Sequence, residues 1–204
     1  MVASDAPARA SNWNAPNIIT VVRIILAPVF FWMLLADAGA DGPLRWAAAA
    51  LFIIAIATDG VDGAIARRKN LVTDLGKILD PIADKLLTSG ALVCLSILGE
   101  VWWWVTIVIV VREVGITIWR FVELSHRNVV PAGRGGKLKT VVQAVAISLY
   151  LVPLDRLLGS WIDVVNFLFM AAALVLTVWS GVEYLVLAYR LKRSAPTAST
   201  SPDA

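Results

Sequence analysis

The fold class that this sequence predicts is an all-α, polytopic membrane protein with six transmembrane helices. Three observations carry that expectation. The 204 residues are 59% hydrophobic and only 16% charged, with a mean hydropathy of +0.77, which lies outside the usual composition of a soluble domain. Apolar stretches recur along almost the whole chain, each near the ~20 residues that a helix rising ~1.5 Å per residue needs to cross a hydrocarbon core of ~30 Å. Basic residues collect in alternate connections rather than evenly, as they do in multispan proteins.

Residues 1–16, rich in Ala, Ser and Pro, read as a flexible cytoplasmic tail that becomes interfacial near Trp13. The first span covers 17–36. Its end, Leu35-Ala36-Asp37-Ala38, has the form of a signal-peptidase site. Arg23 inside the apolar run and five further spans favour a retained helix. The second span covers 46–67 and the third 75–98, joined through Lys69 and Asn70 closely enough to be antiparallel neighbours. The fourth, 101–124, begins at Trp102, Trp103 and Trp104, an aromatic anchor for the outer interface.

Pro131, Gly133, Gly135 and Gly136 break the helical pattern over 126–136 into a short cytoplasmic loop. His126 at its edge, the one histidine, reads as a solvated interfacial side chain. The fifth span covers 138–158 and the sixth 161–190. Together the spans form one membrane domain over 17–192, and 193–204, mostly Ser, Thr, Pro and Ala, reads as a disordered tail. The single Cys94 leaves no intramolecular disulfide and reads as apolar packing.

With both termini cytoplasmic, the inner side receives Arg9, Arg67, Arg68, Lys69, Lys77, Arg127, Arg134, Lys137, Lys139, Arg190, Lys192 and Arg193. The outer side receives only Arg45 and Arg156, together with Asp37, Asp41, Glu100, Asp155 and Asp163. This asymmetry sets the orientation. A multi-pass protein of the plasma membrane is expected, surrounded by membrane lipids, with its active site and both termini cytoplasmic. The net charge of +3 is too small to add to that reading, and no nucleic-acid partner is expected.

Ionisable groups inside apolar spans are expensive, so their positions are the best guide to chemistry. Asp59 and Asp62 end the second span; Asp80 and Asp84 begin the third. Spaced three and four apart, the members of each pair share a helical face. Antiparallel packing of the two helices brings the pairs together. Four clustered carboxylates raise one another's pKa and call for a compensating cation. Oxygen ligands without His or Cys suit Mg²⁺ or Mn²⁺, and four carboxylates have capacity for two ions. Gly60, Gly63, Ala64 and Ala66 leave room beside them for a ligand or a close backbone. Ion pairs of the acids with Arg23, Arg67 or Lys85 are the structural alternative.

The run Asp59-x2-Asp62-Gly63-x2-Ala66-Arg67-x8-Gly76-x3-Asp80-x3-Asp84 resembles the signature of the CDP-alcohol phosphotransferases at every fixed position. The likeness extends to Pro16-Asn17-x2-Thr20-x2-Arg23 with Pro28, Asp80-Pro81-x-Ala83-Asp84-Lys85, Arg112-Glu113 and Gly136-Lys137-x-Lys139-Thr140-x2-Gln143, and so covers roughly 16–190. The resemblance implies that Asp59, Asp62 and Asp80 are metal ligands and that Asp84 is the catalytic base and a fourth ligand. It also implies that Asn17, Thr20, Asp62, Gly63, Ala66, Arg67 and Gly76 line the nucleotide site. The donor it implies is CDP-diacylglycerol, and the assembly a homodimer.

Arg112 and Arg120, eight apart on the fourth helix, lie within about 80° of each other around its axis and ~12 Å apart along it. Both can face one cavity, with Lys137 and Lys139 entering from the start of the fifth helix. Positive charge beside a pyrophosphate site suggests an anionic second substrate, and a phosphate monoester suits Arg and Lys binding. The alternatives are pairing of Arg112 with Glu113 or Asp84, and lysines that serve topology or bind anionic headgroups. Together with the resemblance, the basic residues make sn-glycerol 3-phosphate the expected acceptor, with phosphatidylglycerol phosphate and CMP as products. Family members using inositol phosphate or phosphatidylglycerol are the nearest alternative. An ion or proton transporter is the alternative from another class, although its acids would lie nearer the bilayer midplane.

Overall fold

The computed structural model describes residues 15–68, 73–125 and 134–194. Within its helices, the side chains at 15–16, 61–68, 74–75, 77, 120–121, 123–125, 134–135, 137 and 190–194 are outside the description. The expected tails therefore lie almost wholly outside the described residues, as do the connection through Lys69 and Asn70 and the loop carrying His126.

Among the described residues there are seven helices and no strand. Long helices form at all six expected positions: α1 (Ala15–Asp37), α2 (Pro43–Arg68), α3 (Asp74–Ile97), α4 (Trp103–Ser125), α5 (Arg134–Leu151) and α7 (Trp161–Ser194). Three of them contain stretches long and apolar enough to cross a membrane, Asn17–Asp37, Pro43–Gly60 and Trp161–Tyr189. The chain is thus a helical membrane protein. Helices α3 and α4 carry Lys77, Asp80, Asp84 and Lys85, and Arg112, Glu113, Arg120 and Glu123, respectively, which interrupts their apolar runs. The apolar part of α5 is shorter, Leu138–Leu151.

The continuous fifth span expected over 138–158 divides in two. Helix α5 stops at Leu151, and a single turn, α6 (Asp155–Leu158), precedes α7. Pro153 explains the break: it has no N–H to donate, and its ring disfavours helical geometry at the residue before it. At the start of α3, the Thr73 side chain accepts from the Gly76 N–H at 3.0 Å, a regular N-cap.

The six long helices close a ring, each touching the next in the order α1, α2, α5, α7, α4, α3 and back to α1, while α3 and α5 also meet across it. Alternating chain direction places the starts of α1, α3 and α5 with the ends of α2, α4 and α7. The opposite end of the bundle holds the apolar core. Phe30 and Leu34 of α1, Phe52 of α2, Leu92 and Leu95 of α3, Ile109 of α4 and Ile147 and Leu151 of α5 are all fully enclosed there. Helices α1 and α3 approach so closely that a Cβ on Gly90 would stand 2.2 Å from the Phe31 ring.

Arg45, counted from sequence among the outer loop charges, is instead inside α2 and only 2% exposed. Its guanidinium donates to both Glu100 carboxylate oxygens and to the carbonyls of Leu151 at 2.9 Å and Tyr150 at 2.7 Å. This clamp ties α2 to the end of α5 and to the α3–α4 turn. Trp102, Trp103 and Trp104 are all exposed. Cys94 is buried and unpaired within the apolar core, as expected.

A candidate active site at the carboxylate end of the bundle

The end of the bundle opposite the apolar core is polar on the inside. Asn17 Nδ2 donates to Thr73 Oγ1 at 2.7 Å, which fastens the start of α1 to the cap of α3. Gly76 lies at this junction, where an added Cβ would stand 2.6 Å from Asn17 Oδ1, so only glycine fits without displacing it. One turn further along α1, Thr20 Oγ1 donates to Asp80 Oδ1 at 2.7 Å. One more turn on, the buried Arg23 pairs with Asp59 Oδ1 on α2. The spacing Asn17, Thr20, Arg23 thus lays one face of α1 against the carboxylate-bearing segments of α2 and α3.

Asp59, Asp80 and Asp84 come together at this end, with Asp80 and Asp84 both within electrostatic range of Asp59. Each is tethered through one oxygen. Asp59 Oδ1 meets Arg23, Asp80 Oδ1 meets Thr20, and Asp84 Oδ2 accepts from Lys85 Nζ at 3.0 Å. The second oxygen of each takes no hydrogen bond or ion pair among the described residues. Such carboxylates are held in place yet keep a lone-pair face for a hard cation. Among the described residues no group of three or more His, Cys, Asp or Glu side chains is arranged to hold an ion by itself. The Asp62 side chain lies outside those residues.

Beyond Asp84 the site becomes cationic. Glu113 of α4, 2% exposed, accepts from Lys85 of α3 at 2.5 Å, from Arg112 Nη1 at 3.2 Å and from Lys139 of α5. Arg112 Nη2 also donates to Ser180 Oγ on α7 at 2.8 Å. Gly181 makes room for that side chain, since its Cβ would meet Arg112 Cγ at 3.3 Å. Gln143, one turn beyond Lys139 on α5, is buried, and its Oε1 has no hydrogen-bond partner among the described residues.

Of the residues expected to act, Asn17, Thr20, Asp59, Gly76, Asp80, Asp84, Arg112 and Lys139 therefore gather at one end of the ring. The backbones of Asp62, Gly63, Ala66 and Arg67 continue α2 at that end, and Arg120 and Lys137 lie on α4 and α5. Their side chains are outside the described residues. Both alternatives weighed for the basic and acidic groups occur: Arg112 does pair with Glu113, and Asp59 does pair with Arg23. Thr73 and Ser180 were not singled out in the sequence, and nothing in their local pattern marks them. Glu113 did carry a signal, an acid in mid-span, but its role as the centre of three cations depends on α3, α4 and α5 meeting.

The model of the CDP-alcohol phosphatidyltransferase family matches residues 13–179. A probable phosphatidylglycerophosphate synthase of Mycobacterium tuberculosis is 44% identical over 182 residues, covering 89% of this chain and 85% of that protein. A CDP-diacylglycerol–glycerol-3-phosphate 3-phosphatidyltransferase of Bacillus subtilis is 40% identical over 190 residues, covering 84% of this chain and 93% of the relative. The enzyme of the same name from Escherichia coli is 35% identical over 182 residues, covering 85% and 94%. A match of this extent, running through every element that builds the site, places the chain in the CDP-alcohol phosphatidyltransferase family.

Proposed function

We propose that this protein transfers the phosphatidyl group of CDP-diacylglycerol to sn-glycerol 3-phosphate, forming phosphatidylglycerol phosphate and releasing CMP. The observation that carries the reading is the juxtaposition of three half-tethered carboxylates with a cluster of cations around Glu113 at one end of the bundle. The relatives bearing the name of this reaction support it.

In the reaction the acceptor hydroxyl oxygen forms a bond to the phosphatidyl phosphorus. The bond from that phosphorus to the oxygen of CMP breaks, and CMP leaves with the electron pair. Asp84 takes the hydroxyl proton, as a carboxylate within reach of an acceptor bound beside Lys85. Arg112 and Lys139, with Arg120 and Lys137, bind the acceptor phosphate. Asn17, Thr20, Gly76 and the Gly63, Ala66, Arg67 segment hold the nucleotide, with Gly76 leaving the space that Asn17 occupies.

The family is generally metal-dependent. Asp59, Asp62, Asp80 and Asp84 would hold two Mg²⁺ or Mn²⁺ ions, and the free oxygens of the three described carboxylates fit hard cations. When bound, such ions neutralise the pyrophosphate and stabilise the departing CMP.

The same reading takes α1 to α5 and α7 as six spans in the plasma membrane, with the carboxylate end and both termini cytoplasmic, and the functional unit as a homodimer. A cysteine at the exposed Ser160 position then reacts with an impermeant thiol reagent added outside intact cells. Labelling only after the membrane is opened reverses the orientation.

The deciding assay follows CMP release from CDP-diacylglycerol by the purified protein, offered sn-glycerol 3-phosphate, glycerol, inositol phosphate or phosphatidylglycerol. Preference for sn-glycerol 3-phosphate is expected. Preference for another acceptor overturns the assignment of the second substrate, and ion flux without CMP release overturns the enzyme reading.

A further inference from the structure

Glu113 has no bond-making part in the reaction described, yet it is the most heavily contacted acid among the described residues. Its carboxylate is enclosed, and each oxygen is occupied: Oε2 by Lys85, Oε1 by Lys139 and Arg112. Lys85 is shared, since its ammonium also donates to Asp84 Oδ2 at 3.0 Å. Three helices thus send one cation each to a single carboxylate, and one of these cations reaches onward to the base.

A purely structural pair would balance its charges. Gathering three cations on one enclosed acid, with Lys139 itself enclosed, is a poor way to stabilise a fold, because desolvation opposes the attraction. The arrangement makes physical sense if the excess positive charge has a use, and a phosphate monoester entering beside it supplies the missing negative charge.

We propose that Glu113 is a positioning residue for the acceptor half of the reaction. It holds the Lys139 and Arg112 head groups together against their mutual repulsion, so that the acceptor phosphate meets a preformed array of donors. It also competes with Asp84 for Lys85. Without the Glu113 charge, Lys139 and Arg112 separate, and Lys85 is left to Asp84 alone. This inference rests on the function proposed above and extends it to a residue that touches neither substrate.

The test is steady-state kinetics of Glu113→Gln and Glu113→Asp in detergent or vesicles, with each substrate varied in turn and folding followed by size exclusion and thermal unfolding. Glu113→Gln is expected to raise KM for sn-glycerol 3-phosphate by about tenfold or more and to lower kcat, with KM for CDP-diacylglycerol changed less than about threefold. Glu113→Asp keeps the charge on a shorter arm, and its expected rise in acceptor KM is smaller but still exceeds that for the donor. Should Glu113→Gln not fold, the Asp variant alone reads the same ratio. A folded variant with both KM values unchanged, or changed equally, overturns the inference. Either result would leave the proposed function standing, which fails separately if the wild-type protein releases no CMP with this acceptor.

Discussion

Two buried ion clusters stand at opposite ends of this bundle, and they are built on different rules. At the tryptophan end, Arg45 meets one acid and two helix-terminal carbonyls, so its donors and charge are both matched within the protein. At the carboxylate end, Glu113 meets three cations, one of them shared with Asp84. The matched cluster closes the fold around itself. The other gathers three cations on one acid, and it lies beside acids that are themselves tethered through only one oxygen. Charge balance, more than burial or proximity, is what sets the two clusters apart.

The comparison breaks most sharply if acids at the two ends respond alike. Asp84→Asn is expected to lower CMP release by about a thousandfold, in the range for loss of a general base, while thermal unfolding is nearly unchanged. Asp59→Asn and Asp80→Asn should also abolish most turnover, and chelation should do so reversibly on adding Mg²⁺ or Mn²⁺. Near-normal rates for Asp84→Asn would remove it as the base.

Arg45→Met should do the reverse. Removing one partner of a buried pair leaves Glu100 and two carbonyls unmatched, for a loss of ~3 kcal/mol in unfolding free energy. The KM values of the protein that remains folded should be unaltered. A selective change in acceptor KM would mean that the clamp is not merely structural.

Smaller effects sharpen the division. Gly90→Ala forces its methyl group into the Phe31 ring at the α1–α3 contact, and overpacking of this kind costs about 1–3 kcal/mol. Thermal unfolding should report it, with little change in the ratio of the two KM values. Gly181→Ala presses on the Arg112 side chain at 3.3 Å. Stability should hardly change, and the acceptor KM should rise about twofold, equivalent to a few tenths of a kcal/mol. A larger shift in donor KM than in acceptor KM would place Arg112 outside the acceptor pocket.

Much of this was legible in the sequence because the membrane imposes strong rules. Apolar runs and alternating basic connections foretold six long helices, and the spacing of Asp59, Asp80 and Asp84 foretold that they would share one end. The misreadings arose where a single residue overrides a run. Pro153 split the fifth stretch, and Arg45, taken for a loop charge, went inside because Glu100 and two carbonyls awaited it. None of these three partners is near Arg45 in the chain, so no local pattern reveals the match. The same holds for Glu113, whose meaning depends on lysines 28 residues before and 26 residues after it. Pairing with Arg112 was foreseeable from adjacency; convergence of three helices was not.

The apolar half of the bundle also acts as a ruler. From Pro43 at the start of α2 to Asp59 is sixteen residues, or roughly 24 Å of helix rise. With Pro43 at one edge of a hydrocarbon layer of ~30 Å, the carboxylates would stand about one helical turn inside the other. A lipid-linked pyrophosphate at the headgroup plane reaches them with little displacement along the membrane normal. Thicker host bilayers draw the carboxylates deeper and thinner ones lift them towards water, so turnover in vesicles should follow the acyl-chain length of the host lipid even when the substrate's own chains are held constant.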